Sequence, residues 1–119
     1  MALNESDRIK IRLVAAILAS EYKYHYTHRQ LALKVGTNET KMRVGFKKMY
    51  NNTINRQLTQ IRIEKAKELL KYTETPLHQI APQIGFKNAS HLIKAFKKAT
   101  GLTPLVWRSM NNTGLNGDS

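Results

Sequence analysis

The sequence predicts an all-α chain of about seven helices: two helix-turn-helix subdomains joined by a long linker helix. Three observations predict it. Apolar residues recur at i, i+3, i+4 and i+7 in successive segments, with Gly, Pro or Asn pairs between them. One of these patterns occurs twice. Lys and Arg number 20 against 8 acids, for a formal charge of +12 and a pI near 10.2, so the second face of these helices is basic.

Gln79 to Gly101 carries the pattern most plainly. Ile80, Ala81 and Ile84 are apolar at one-turn spacing, and Gly85 stands where the chain must turn. Glycine suits that place because it reaches positive φ without a Cβ clash. Leu92, Ala95, Phe96 and Ala99 then form one inward stripe, opposite Ser90, Lys94 and Lys97, with Lys87 and Lys98 beside them. A short helix packed under a basic helix, with glycine at the turn, is the pattern of a DNA-binding helix-turn-helix. Upstream, Gln30, Leu31, Ala32, Val35 and Gly36 match Gln79, Ile80, Ala81, Ile84 and Gly85 at an offset of 49. Phe46-Lys47-Lys48 matches Phe96-Lys97-Lys98 at an offset of 50, so the second turn is one residue longer.

Taken in order, Ser6 to about Glu21 reads as an amphipathic helix covering the first subdomain, with Ser6 as N-cap and Ile9, Leu13, Ala16 and Ile17 facing inward. Tyr22, Tyr24 and Tyr26 around His25 mark a break. His25 and His28 form an H-x-x-H, a spacing that can hold a metal on a helix, but a solvated connection capped by Thr27 is the favoured reading and a short strand has no partner. A helix follows over His28–Val35, then the turn Gly36-Thr37-Asn38. The helix Glu39–Tyr50 buries Met42, Phe46 and Met49 and presents Thr40, Arg43, Val44, Lys47 and Lys48. Gly45 inside it costs about 1 kcal/mol relative to Ala, which signals either close packing or a locally soft helix.

Asn51-Asn52 ends that helix, and Thr53 caps the long one, Ile54–Tyr72. Its apolar seam is Ile54, Leu58, Ile61, Ala66, Leu69 and Leu70, while Arg56, Arg62 and Lys65 are expected to be solvated or phosphate-facing. At 1.5 Å per residue it is about 28 Å long. Thr75-Pro76 opens the next helix with Thr as N-cap and Pro at the first position; Pro82 inside it predicts a bend or a tight turn. Gly101 ends the second basic helix, and Thr103-Pro104 starts a last one holding Leu105, Val106 and Trp107, the tryptophan in the core. The domain division is therefore 1–52 for the first helix and first helix-turn-helix, 53–73 for the linker helix, 74–110 for the second helix-turn-helix and closing helix, and 111–119 for a disordered tail.

The composition narrows the function classes. A charge of +12 on 119 residues favours a polyanion. Cysteine is absent, so disulfides and thiolate metal sites are excluded. No apolar run approaches the ~18 residues of a membrane span. Paired carboxylates, a phosphate-binding glycine loop and a nucleophile motif are all missing, and the four histidines stand on elements that need not converge, so no enzyme, catalytic set, metal or cofactor is expected. Sequence-specific binding of double-stranded DNA is the leading reading; a basic nucleic-acid-binding module without sequence preference is the alternative.

The segment QIAPQIGFKNASHLIKAFKKATGLTP resembles the signature of the AraC/XylS family of bacterial transcription regulators, and RIEKAKELL, Arg62 to Leu70, resembles the helix joining that family's two modules. The resemblance runs from about Ile9 to Arg108. It implies two recognition helices in neighbouring major grooves on one side of the duplex, a role in transcription, RNA polymerase as a further partner and a bacterial cytoplasmic, nucleoid-associated setting. Many members carry a separate effector-binding or dimerisation domain, for which this chain has no room; it is either a domain cut from a larger regulator or a naturally small one, and is expected to act as a monomer, dimerisation being left to any full-length regulator. The chain departs from the family pattern at His91 and Leu92, where an aromatic pair is common, at Lys94, where Arg is common, and at Trp107, where Tyr is usual. Lys94 lacks the planar fork that reads guanine bidentately, and Ile93 can instead meet a thymine methyl.

Outward placement opposite the apolar stripes assigns base contacts to Thr40, Arg43 and Val44 in the first module and to Ser90, Ile93 and Lys94 in the second. Arg29, Lys47, Lys48, Lys87, Lys97 and Lys98 are assigned to phosphates.

Overall fold

The structure, a computed structural model, describes residues 2–112. Among these are seven α-helices and no strand: α1 (Glu5–Ser20), α2 (His28–Val35), α3 (Glu39–Tyr50), α4 (Ile54–Tyr72), α5 (Leu77–Gln83), α6 (Ala89–Thr100) and α7 (Pro104–Asn111). The chain divides into two compact units, Met1–Leu58 and Thr59–Ser119. Each holds one helix-turn-helix. No helix among the described residues is long and apolar enough to cross a membrane.

In the first unit α1 packs on both α2 and α3. Its N-cap is Asn4, not Ser6: the Asn4 Oδ1 accepts the Asp7 N–H at 2.8 Å and the Asp7 carboxylate accepts the Asn4 N–H at 3.2 Å. This reciprocal capping box satisfies two otherwise orphaned donors and starts the helix two residues earlier. The buried stripe is also not the expected one. Ile11, Val14 and Leu18 face inward, whereas Ile9 and Leu13 are 48% and 49% exposed. Both stripes have helical spacing, so periodicity alone cannot choose between them. The choice is made by α3, where Ile11 Cδ1 occupies the space that a β-carbon on Gly45 would fill. Gly45 is thus a close-packing glycine. Asp7 opens the inner stripe and is buried, its charge met by Lys41 at 3.2 Å.

The tyrosine segment is an irregular connection. Tyr24 is exposed, Tyr26 donates its hydroxyl to Glu21, and the Lys34 ammonium lies 5.7 Å from the centre of the Tyr26 ring. Thr27 caps α2 through a second capping box with Gln30. Asn51, at φ 52°, ends α3 in the left-handed region, and the Thr53 hydroxyl accepts the Arg56 N–H at 3.1 Å to cap α4.

The second unit buries Ile63, Ala66 and Leu70 of α4, Ile80 and Ala81 of α5, Ile84, and Leu92 and Phe96 of α6. Helix α5 packs on α6, and α6 on α7. Phe96 meets Trp107 edge to face, with ring centres 6.0 Å apart at 77°. Helix α5 begins at Leu77, with Pro76 at the N-cap and no side-chain cap. The expected Thr75 cap is not formed because Pro76 itself is extended, at φ −70° and ψ 156°, and takes the N-cap place that leaves Thr75 one residue too early; the Thr75 N–H is accepted by the Thr73 hydroxyl at 3.2 Å. Pro82 lies inside α5, whose end tightens into short bonds from Ile84 and Gly85 back to Ala81 and Pro82.

Helix α7 also turns differently from expectation. Leu105 and Val106 are exposed, and the buried residues are Pro104 and Arg108. Arg108 donates to the carbonyls of Leu70 at 3.2 Å and Leu69 at 3.4 Å. Asn112 donates to the carbonyls of Leu70 at 2.9 Å and Thr73 at 3.1 Å. Leu70 lies in the last turn of α4, where carbonyls run out of intrahelical donors, while the Leu69 carbonyl also accepts the Thr73 N–H at 3.1 Å just past the helix end. Residues 111 and 112 do not belong to a disordered tail as expected: Asn111 closes α7 and Asn112 is buried. The remainder, 113–119, lies outside the described residues.

Candidate nucleic-acid interface

The two helix-turn-helix elements are built by the same local devices. In the first, Gly36 turns at φ 83°, the Thr37 N–H reaches back to the Ala32 carbonyl at 2.9 Å, and Asn38 caps α3 by accepting the Lys41 N–H at 2.8 Å. In the second, Gly85 turns at φ 100°, the Phe86 N–H reaches the Ala81 carbonyl at 2.8 Å, and Asn88 caps α6 by accepting the His91 N–H at 3.0 Å. The extra residue lies between the glycine and the capping asparagine. Asn38 and Asn88 therefore fix α3 and α6 in the offset-50 register read from the Phe-Lys-Lys repeat.

The same register orders the outward face. Thr40, Arg43, Val44 and Lys47 follow i, i+3, i+4, i+7 along α3, and Ser90, Ile93, Lys94 and Lys97 do so along α6. Such spacing sets four side chains on one face. All eight are exposed, and Met42, Phe46, Leu92 and Phe96 are buried on the other side. Lys47 and Lys48, like Lys97 and Lys98, occupy the last turn, where the negative end of the helix dipole favours cations. Arg29 in α2 and Lys87 in the second turn are exposed as well.

In the first unit a groove of about 490 Å³ runs beside α3, lined by Arg43, Val44, Lys47 and Lys48 together with His28, Thr53, Ile54 and Asn55. It gathers four of the sequence-assigned residues; Thr40 and Arg29 lie outside its lining. His28, Thr53 and Asn55 were not assigned from sequence. His28 Nε2 and Asn55 Oδ1 are 3.2 Å apart, which ties the start of α2 to the start of α4. A signal that could have found Thr53 is its place as a cap: the N-terminus of a 19-residue helix leaves N–H groups without intrahelical partners and carries the positive end of a dipole.

The two turns differ in what lies beneath them. A β-carbon on Gly36 would meet only Lys10 Cε, at 3.9 Å. One on Gly85 would stand 2.5 Å from Arg62 Nε, and the Arg62 guanidinium lies 5.9 Å from the centre of the Phe86 ring. Arg62 is therefore buried under the second turn, not solvated or phosphate-facing as expected. Burial lowers its pKa by disfavouring the charged form.

Comparison with known proteins agrees with this geometry. Residues 31–110 match the model of a helix-turn-helix domain family. The chain is 28% identical over 105 residues to the HTH-type transcriptional activator RhaR of Enterobacter sp. strain 638, covering 88% of this chain and 37% of that protein. It thus spans little more than a third of the length of such curated relatives. The C-terminal domain of the two-component response regulator yesN from Fusobacterium nucleatum superposes with a TM-score of 0.77 at 33% identity, covering 82% of this chain and 95% of that one. The DNA-binding domain of AdpA, solved with a target DNA, shares the fold with a TM-score of 0.80 at 18% identity, covering 85% and 91%. With both turn-and-cap devices, the linking helix and the family match in place, the chain belongs to the AraC-type helix-turn-helix family.

Proposed function

We propose that the chain binds one asymmetric double-stranded DNA site as a monomer, with α3 and α6 in adjacent major grooves on one face of the duplex. The observation that carries this reading is the pair of outward faces set in one register but built from different residues. Thr40, Arg43 and Val44 read one half-site and Ser90, Ile93 and Lys94 the other. Arg29, Lys47, Lys48, Lys87, Lys97 and Lys98 hold phosphates, joined in the first unit by the groove at Thr53. Helix α4 acts as the connecting segment, with 1–52 and 74–110 as the reading modules. The site length is roughly 15–20 base pairs, two groove segments about one helical turn apart. Within a bacterial cytoplasm such binding positions or blocks RNA polymerase.

Selection from a random duplex library, followed by competition with unrelated DNA, tests this. The selected duplex is expected to out-compete unrelated DNA by about a thousandfold or more at physiological salt. Equal competition returns the reading to a basic module without sequence preference.

A further inference from the structure

We infer that each recognition helix reads a thymine 5-methyl group, through Val44 in one half-site and Ile93 in the other, beside a cation that reads a neighbouring base pair. This rests on the DNA-binding reading above and names the base chemistry that reading requires. The cap register makes Arg43-Val44 of α3 the counterpart of Ile93-Lys94 of α6. Each helix thus presents one cation and one β-branched apolar residue at the same two positions, in opposite order.

Val44 is 37% and Ile93 36% exposed. Neither belongs to the buried stripes, which are completed by Met42 and Phe46 and by Leu92 and Phe96. Their neighbours on the outward face are Thr40 and Lys47, and Ser90 and Lys97. An apolar side chain there gains nothing from water or phosphate. Along the major-groove base edges the distinctive apolar group is the thymine methyl. Branching at Cβ holds χ1 of Val and Ile in one rotamer on a helix, so their methyl groups point in a fixed direction and lose little freedom on contact. Consecutive helix positions diverge by about 100° around the axis, so the cation and its apolar neighbour reach different base pairs. The exchange of order between α3 and α6 means that the half-sites are not repeats of one sequence.

The test uses the duplex obtained by selection and the wild-type protein. Each thymine is replaced singly by deoxyuridine, which removes the methyl and leaves the pairing and the O4 acceptor intact. One thymine in each half-site is expected to weaken binding about threefold to fivefold on replacement, the worth of one buried methyl. Val44→Ala should abolish that sensitivity in one half-site only, and Ile93→Ala in the other only, with unchanged helicity by circular dichroism. Because the uridine series uses wild-type protein, a folding defect in a variant cannot mask the result. Sequence-selective binding that ignores every replacement, or a sensitivity that neither variant removes, overturns the inference and leaves the DNA-binding reading intact. Failure to prefer the selected duplex over unrelated DNA overturns that underlying reading instead.

Discussion

Ile11 fills the space that a β-carbon on Gly45 would occupy, so the first unit is closed by a side chain of α1 pressed against the backbone of α3. Two effects oppose each other at this position. Ala favours the helix over Gly by about 1 kcal/mol, while overpacking a core costs about 1–3 kcal/mol. Ile11 is buried and cannot swing aside freely. Gly45→Ala is therefore expected to destabilise the protein by about 1 kcal/mol net. In an Ile11→Val background, which lacks the obstructing Cδ1, the same substitution should cost less or stabilise. Denaturant unfolding of the four proteins checks this; additive effects would show that the two residues do not compete for that space.

The end of α4 gives a second prediction. Arg108 and Asn112 share the Leu70 carbonyl, and each also reaches one further carbonyl, Leu69 or Thr73. Arg108→Met and Asn112→Ala should each cost about 1–2 kcal/mol, and together more than their sum, because only the double variant leaves the Leu70 carbonyl without both side-chain donors. Strict additivity in urea unfolding would contradict the shared-carbonyl account.

Asp7 predicts a pH dependence. The Asn4 backbone N–H first, then the Lys41 ammonium, hold its carboxyl below the usual aspartate range, against an opposing effect of burial. A depressed folded-state pKa contributes stability that is fully present above the unfolded value and is lost as pH falls through the folded value. The thermal midpoint of wild type should therefore fall toward that of Asp7→Asn as pH drops from about 6 to about 3. A gap that stays constant over that range would show that the carboxylate is not what holds the start of α1.

Binding should divide by contact type. Arg43→Ala is expected to relax preference at one base position by roughly 1–3 kcal/mol; equal weakening on all sequences would make Arg43 a phosphate contact. If about six phosphates are neutralised, log K should fall with log salt at a slope near −5. Fluorescence anisotropy across a salt series measures it, and a slope near zero would remove the electrostatic basis of binding.

Much of this was legible because punctuation in the sequence is local chemistry. Thr27 and Gly36 fix the ends of α2, and Asn51-Asn52 with Thr53 separate α3 from α4, so those helices fall where periodicity and capping place them. The turn glycines and the Phe-Lys-Lys repeat likewise gave the register of the two recognition helices before any geometry. What could not be read was which of two equivalent apolar stripes of α1 would face inward, since Gly45 decides that from 34 positions away along the chain. Arg62 and Arg108 were unreadable for a related reason. A lone cation reads as solvent-facing, but their partners are the second turn and the carbonyls of a distant helix end. The roles of Thr53 and Asn55 beside α3 depend on how α4 begins next to α2, which no spacing in the sequence expresses.

If two unlike modules of one monomer read two adjacent major grooves, the spacing between the half-sites is fixed. The most direct measurement is the affinity for the selected duplex against the same duplex with five base pairs inserted between the half-sites, about half a helical turn. The insertion is expected to carry one half-site to the far face of the duplex, so that affinity falls at least tenfold, to that of a single half-site. Unchanged affinity, or a footprint on a palindrome by a dimer, would contradict it.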